Sequence, residues 1–398
     1  MRPDLLEILR CPESGAEVDL VRVDRWFPLV GGGRSSRHVV QGLLRSRGGE
    51  RRYYPILDEI PRLLPQGLES EEEAAYVASA SADLGGADSG NESPGGVDPW
   101  GRAERVEPEI VSTEAVEAEI RRRMEFQYRL DASTPEGVRR RMEGEIRYMT
   151  AELRGGNKAK YVRLAAPRVP AVGTLLETGG NFPGLTRSLA RHYRPTRSVV
   201  ANIQVMFPMA FKTAERDITA VRADVQALPF APDAFELVAS AFMLEHVPDW
   251  RAGLRSMLSV GERVLLAFGP NKHFPFEVGH IDAPLAGTLP KPAAAYVAWA
   301  WLAATGKRRP LHRIRDILGE VFHVSSRAFE KECRRLGAVP TNLFPEMVQV
   351  IIGDDAAPRT GARRWLKRYP WAASAAARTL TALRMEPQIY YLIDAPGS

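Results

Sequence analysis

The loop that follows residue 270 concentrates groups able to move protons. It reads Asn271-Lys272-His273-Phe274-Pro275-Phe276-Glu277-Val278-Gly279-His280-Ile281-Asp282. An imidazole titrates near neutrality, so His280 is suited to take a proton from a hydroxyl or amine nucleophile. Glu277 or Asp282 would orient it. The same residues also fit a plain hydrogen-bonded loop anchor. His246, within Leu244-Glu245-His246-Val247-Pro248-Asp249, is a second candidate for proton transfer.

A second set of residues is suited to holding a ligand. Residues 172–186 form an apolar run that closes on Glu177, then a turn containing Gly179, Gly180, Asn181 and Gly184, then an amphipathic helix over 185–193. A strand–turn–helix of this kind places a ligand over the carboxyl end of its strand. Further short apolar runs follow at 198–201, 218–222, 235–238 and 263–268. Asn202 ends the second strand, Asp224 and Val225 follow the third, and Phe242 stands at the end of the fourth. Alternation of strands with helical stretches predicts an α/β sheet.

This succession resembles the class I S-adenosylmethionine-dependent methyltransferases, best over 172–271. The resemblance implies an open Rossmann-like sheet with an antiparallel last strand at 389–393, and S-adenosyl-L-methionine as cofactor. In that family an acidic residue ends the first strand, and glycines let the backbone approach the cofactor. Glu177, Gly179, Gly180, Asn181 and Gly184 take those places here. Asp224 would bond the adenine amino group and the Val225 amide a ring nitrogen, with Phe242 completing the set. His246 stands where the family walls the cofactor site. Two departures stand out. The turn carries Asn181, Phe182 and Pro183 where the family's is shorter and richer in glycine. Asn202 replaces the acid that accepts from the ribose hydroxyls; it accepts without charge, and a charge-assisted bond is about twice as strong. Alignment of a nucleophile behind the sulfonium methyl can carry most of such a reaction without a base.

Composition sets the limits. The 398 residues are enough for two or three domains, and 54 basic against 49 acidic residues leave a formal charge of +5. No basic block points to nucleic acid. Cys11 and Cys333 are the two cysteines, which fits a reducing, cytoplasmic setting. Residues 1–68, with Cys11-Pro12-Glu13-Ser14 and Tyr53-Tyr54-Pro55-Ile56, resemble the small Trm112-like domain. Ser14 takes the place of a metal-binding cysteine and no second pair follows, so no zinc site is expected at Cys11. Residues 69–110 read as a flexible linker, 111–165 as helical cover, and 166–398 as the methyltransferase-like domain with an insertion at about 271–330 that would choose the substrate. Within it, 292–305 carries Trp299 and Trp301 beside Lys307, Arg308 and Arg309. It is too short to span lipid and reads as a buried helix, a lid or a peripheral membrane contact. Residues 347–352 read as a strand.

The expected activity is O- or N-methylation of a small or moderately apolar molecule. A non-catalytic scaffold on a degenerate fold is one alternative. An S-adenosylmethionine-dependent cyclisation or rearrangement is another.

Overall fold

Four strands open the chain: β1 (Val18–Pro28), β2 (Arg37–Ser46), β3 (Tyr53–Leu57) and β4 (Ile60–Leu63). The computed structural model describes residues 1–28, 37–48, 50–85, 99–100, 103–128, 136–154, 158–180, 182–204, 208–212, 218–277, 279–306, 309–353 and 367–397. Two units emerge, Met1–Lys158 with Gly173–Ala234, and Ala159–Val172 with Phe235–Ser398.

In the first unit, β1 to β4 pair as antiparallel neighbours. Asp58 and Glu59, both at positive φ, make the two-residue turn between β3 and β4. That backbone matches the twist of the paired strands, although its residues lack the usual glycine signal. α1 (Glu71–Gly85) occupies the acidic and alanine-rich start of 69–110. Ser70 and Glu73 cap it reciprocally: the Ser70 amide donates to Glu73 Oε2 at 2.7 Å and the Glu73 amide to Ser70 Oγ at 3.3 Å. Glu73 also pairs with Arg222. After β5 (Glu104–Arg105), α2 (Thr113–Tyr128) and α3 (Glu136–Arg154) turn Val116, Ile120, Met124, Met142, Ile146 and Leu153 into one apolar cluster. The break expected at Pro135 lies outside the described residues, as does Asn181.

The second unit begins with α4 (Ala159–Ala165), and the chain then returns to the first with β6 (Thr174–Thr178), α5 (Gly184–Tyr193), β7 (Arg197–Asn202) and β8 (Ile218–Ala223). β6, β7 and β8 are parallel neighbours, and β4 joins β8 in parallel. The order in this unit is β6-β7-β8-β4-β3-β2-β1-β5. All three carboxyl ends of β6, β7 and β8 therefore open on one edge of the sheet, where α/β folds hold ligands.

The second unit continues with β9 (Phe235–Ala241), α6 (Trp250–Val260), β10 (Gly261–Phe268), α7 (Lys291–Ala304), α8 (Leu311–Glu320), α9 (Ser326–Arg335), β11 (Val339–Asn342), α10 (Phe344–Ile352), α11 (Pro370–Leu383) and β12 (Ile389–Asp394). Its strands run β11-β12-β10-β9. β9 and β10 are parallel, and β12 is antiparallel to β10, as the sequence led us to expect. The strand expected at 347–352 is instead α10. An apolar run of this length suits either state. Helix is decided upstream: Asn342 Oδ1 accepts from the Phe344 amide at 2.9 Å, and Pro345 sits in the first turn. α7 buries Ala294, Ala295, Ala298 and Leu302 in a cluster with Ile314 and Leu318 of α8, while Tyr296, Trp299 and Trp301 are exposed. Among the described residues no helix is long and apolar enough to cross a membrane.

Gly184 and Gly144 should respond in opposite directions to alanine. A Cβ on Gly184 would lie 1.8 Å from the Glu152 carbonyl oxygen, whereas one on Gly144 meets nothing within 4 Å. Urea unfolding is expected to show Gly184→Ala destabilised by about 3 kcal/mol. Gly144→Ala, in the middle of α3, should gain about 0.5–1 kcal/mol.

Candidate functional site

At the end of β6, the Glu177 carboxylate turns inward. Its Oε2 accepts from the Thr186 amide at 2.9 Å and from Thr186 Oγ1 at 2.6 Å, which fastens strand to helix across the turn. Burial pushes the Glu177 carboxyl up to about 7; the Thr186 bonds and nearby Lys158 oppose the rise, and Glu152 adds to it. Gly180 is required by this arrangement. A Cβ there would lie 2.7 Å from Glu177 Oε1 and 2.9 Å from Val200 Cγ1. Gly179 sits at φ +82°, and its amide donates to the Ala201 carbonyl at 2.8 Å. The glycines thus make room first for the protein's own atoms: Glu177 at Gly180 and the Glu152 carbonyl at Gly184. The unusual turn also has a packing reason, because Phe182 is buried in the cluster formed by α2, α3 and β7.

Asn202 closes β7, half-buried. Asp224 follows β8 and is 8% exposed. Its Oδ1 accepts from the Gln226 amide at 2.9 Å, and Gln226 Nε2 reaches Oδ2 at 3.1 Å. Val225 begins the one-turn 3-10 helix that Asp224 caps. Glu177, Gly179, Gly180, Asn202, Asp224 and Val225 therefore share the carboxyl edge of β6–β7–β8. The edge offers two acceptors, the Asp224 carboxylate and the Asn202 amide oxygen, beside the backbone of the glycine turn. A ligand amino group at Asp224 must share that carboxylate with Gln226. Phe242 lies in the second unit, at φ +58°, with its amide donating to the Ala267 carbonyl at 2.7 Å.

The remaining candidates gather in the second unit. Glu277 is the hub. Its Oε1 accepts from the His280 amide at 3.1 Å and lies 3.0 Å from His280 Nδ1. Its Oε2 accepts from the amides of Ile281 at 2.7 Å and Asp282 at 2.9 Å. Burial opposes the charge, yet the bonds from His280, Ile281 and Asp282 prevail and hold this carboxyl below its ordinary range. Glu277, rather than Asp282, orients His280; the Asp282 carboxylate instead accepts from the Gly279 amide at 3.3 Å. The rings of His246 and His280 stand edge to face with centroids 5.3 Å apart. His246 is lowered by desolvation, against a backbone contact with Glu320 that favours the charged form. The sequence reading missed two neighbours. Glu245 is buried and its carboxyl is pushed up to about 8 by desolvation. His323 is pushed down to about 4 by burial, with Glu277 and His280 within electrostatic reach. An adjacent Glu-His pair was the available signal for Glu245; nothing in sequence placed His323 beside them.

Cys11 has a close partner, Tyr54 Oη at 3.1 Å, and is buried. Burial drives its thiol up, but contacts with Ser14 and Tyr54 outweigh that and bring it below its ordinary value. A cavity of about 320 Å³ in the first unit is lined by Arg62, Arg123, Arg222, Glu72, Glu73 and Gln204, among others. It includes none of the cofactor candidates. Its charges are largely paired through Glu73, which contacts both Arg62 and Arg222.

Comparison with known proteins bears on that edge. Residues 177–263 match a methyltransferase-domain family. No curated protein sequence matches the chain. Similar solved structures include phosphoethanolamine N-methyltransferase 2 of Haemonchus contortus in complex with S-adenosylhomocysteine, at 14% identity and a TM-score of 0.36, over 60% of this chain and 52% of that one. The chain thus spans about half the length of that protein. The plantazolicin methyltransferase BpumL gives 8% identity and a TM-score of 0.38, over 71% and 97%. The [4+2]-cyclase SpnF gives 14% and 0.34, over 60% and 82%. The family match begins at Glu177, near the carboxyl end of β6.

The buried Glu177 makes stability depend on pH. Its folded value of about 7 lies above the ordinary 4.5, so its favourable contribution is full below about 4.5 and is lost as pH rises through 7. Chemical denaturation of Glu177→Gln and the parent should show their difference moving in favour of the variant by about 3 kcal/mol between acidic and mildly alkaline pH.

Proposed function

We propose that this chain is an S-adenosylmethionine-dependent methyltransferase acting on the oxygen or nitrogen of a small or moderately apolar molecule. The observation that carries the reading is the family match over 177–263 together with the order of Glu177, Asn202 and Asp224 along three adjacent parallel strand ends. When bound, the cofactor supplies an electrophilic sulfonium methyl. The chain's own tasks are then to bind and to align. Asp224 and the Val225 amide hold the adenine, Asn202 accepts from the ribose, and Gly179 and Gly180 border the methionine part. Substrate choice is assigned to the insertion at 271–330. Where the acceptor must lose a proton, His280 takes it, with Glu277 fixing the ring through Nδ1.

Residues 1–68 are assigned to a Trm112-like module in which the Cys11–Tyr54 contact and apolar packing serve in place of a metal. The exposed Tyr296, Trp299 and Trp301 of α7 support a peripheral contact with a lipid surface or an apolar substrate. One observation favours the scaffold alternative: Asp224 and Glu177 already have partners within the protein.

Calorimetric titration separates these readings. The parent is expected to bind S-adenosylmethionine and S-adenosylhomocysteine saturably in the micromolar range. Asp224→Ala should weaken both by about 10–100-fold, through loss of a bond to a charged group. Asp224→Asn, which keeps an acceptor for Gln226, should fall in between. A folded parent that binds neither ligand at millimolar concentration would leave the scaffold reading. Binding with turnover to a product of unchanged mass would point to rearrangement chemistry.

A further inference from the structure

The geometry points to a divalent transition-metal site formed by Glu245, His246 and His280. One ligand atom from each residue lies within 4.8 Å of the other two. Metal–ligand bonds of about 2.0–2.2 Å put neighbouring donor atoms about 3–3.5 Å apart, so closure around an ion needs movements of roughly 1 Å. Small side-chain rotations supply that much.

Glu245 provides the independent sign of a ligand. It is 1% exposed, and neither carboxylate oxygen makes a close hydrogen bond; only looser contacts with the backbone of Glu245 and Gly269 favour its charge. A buried carboxylate left in this condition is costly, and either a proton or a bound cation compensates it. The backbone holds it in place: it lies in the 3-10 turn Leu244–His246, and its carbonyl accepts from the Phe322 amide at 2.7 Å.

The two imidazoles are arranged as metal ligands usually are. His246 Nδ1 lies 3.3 Å from the Glu320 carbonyl oxygen, and His280 Nδ1 lies 3.0 Å from Glu277 Oε1. Each ring therefore spends Nδ1–H on an oxygen and keeps the Nε2 lone pair for a ligand. Outer carboxylates and carbonyls that fix a histidine tautomer in this manner raise its basicity toward the metal. Glu277 is saturated by its four contacts, so it supports the site from behind.

The donor set selects the ion class. Magnesium and calcium prefer all-oxygen shells. Two imidazoles with one carboxylate suit zinc, iron(II), nickel or cobalt. Three protein ligands leave a position open for water or for an oxygen or nitrogen of a substrate. In the loaded protein His280 Nε2 is a ligand, so its role as proton acceptor belongs to the metal-free form. The site does not depend on the methyltransferase reading, because none of its ligands is shared with the residues at the β6–β8 edge.

The test uses the full chain, stripped with a chelator and then dialysed against zinc alone. The parent should take up one tightly held equivalent by elemental analysis. With cobalt(II) in place of zinc it should give a visible d–d absorption band. His246→Ala combined with His280→Ala should lose both signals, with affinity down by at least about 100-fold, and Glu245→Gln should weaken binding by about 10–100-fold. His246 is exposed, so its single alanine variant should fold and report even if Glu245→Gln does not. A parent that takes up no zinc, or a folded double variant that binds as well as the parent, overturns the site.

Discussion

Much of the first unit depends on one buried carboxylate. Glu177 stands at the end of β6 where the chain must reverse into α5, and it has little access to water. Thr186 supplies two of its hydrogen bonds, one from the backbone and one from the hydroxyl. That requirement spreads outward. Gly180 must lack a side chain because the carboxylate fills the space, and Gly184 must lack one because the last turn of α3 closes over it. Arg187, one turn into α5, is buried and donates from Nη1 to the Leu153 carbonyl at 2.8 Å, which ties the same helix to α3 again. The strand end, the turn and the covering helix thus form a single mechanical unit. Its cost is a desolvated acid.

The second unit solves a related problem differently. Glu277 is also buried, but four donors from a tight loop surround it and keep it charged. Glu245, close to His246 and His280, has only loose backbone contacts, and desolvation prevails there. Two carboxylates on neighbouring loops therefore stand in opposite conditions, one satisfied and one not. Opposed environments of that kind are common where a protein does chemistry.

Most of the strand–helix alternation from residue 172 onward is legible, because the strands are short apolar runs, three of which lead to Glu177, Asn202 or Asp224. The reading went astray where local pattern is ambiguous. Residues 347–352 are apolar enough for a strand, and only Asn342 and Pro345 upstream decide for a helix. α1 grows out of the acidic and alanine-rich start of 69–110, where Ser70 and Glu73 carry a capping signal. The spacing of the glycine turn speaks for close approach of a ligand. Its first duty, accommodating Glu177 and the Glu152 carbonyl, is a matter of packing that spacing does not reveal. The pairing of His280 with Glu277 was one of two options in sequence, since Asp282 is as close along the chain. The approach of Glu245 and His246 to His280 joins segments over 30 residues apart, which no local pattern encodes.

The central claim is that a ligand sits on the carboxyl edge of β6, β7 and β8. Hydrogen exchange of the full chain, with and without saturating S-adenosylhomocysteine, tests it most directly. The account predicts added protection in peptides covering 177–186, 202–204 and 223–228, with little change in β1 to β3. Protection centred instead on the Arg62–Arg222 cavity, or none at any strand end under saturating ligand, would contradict it.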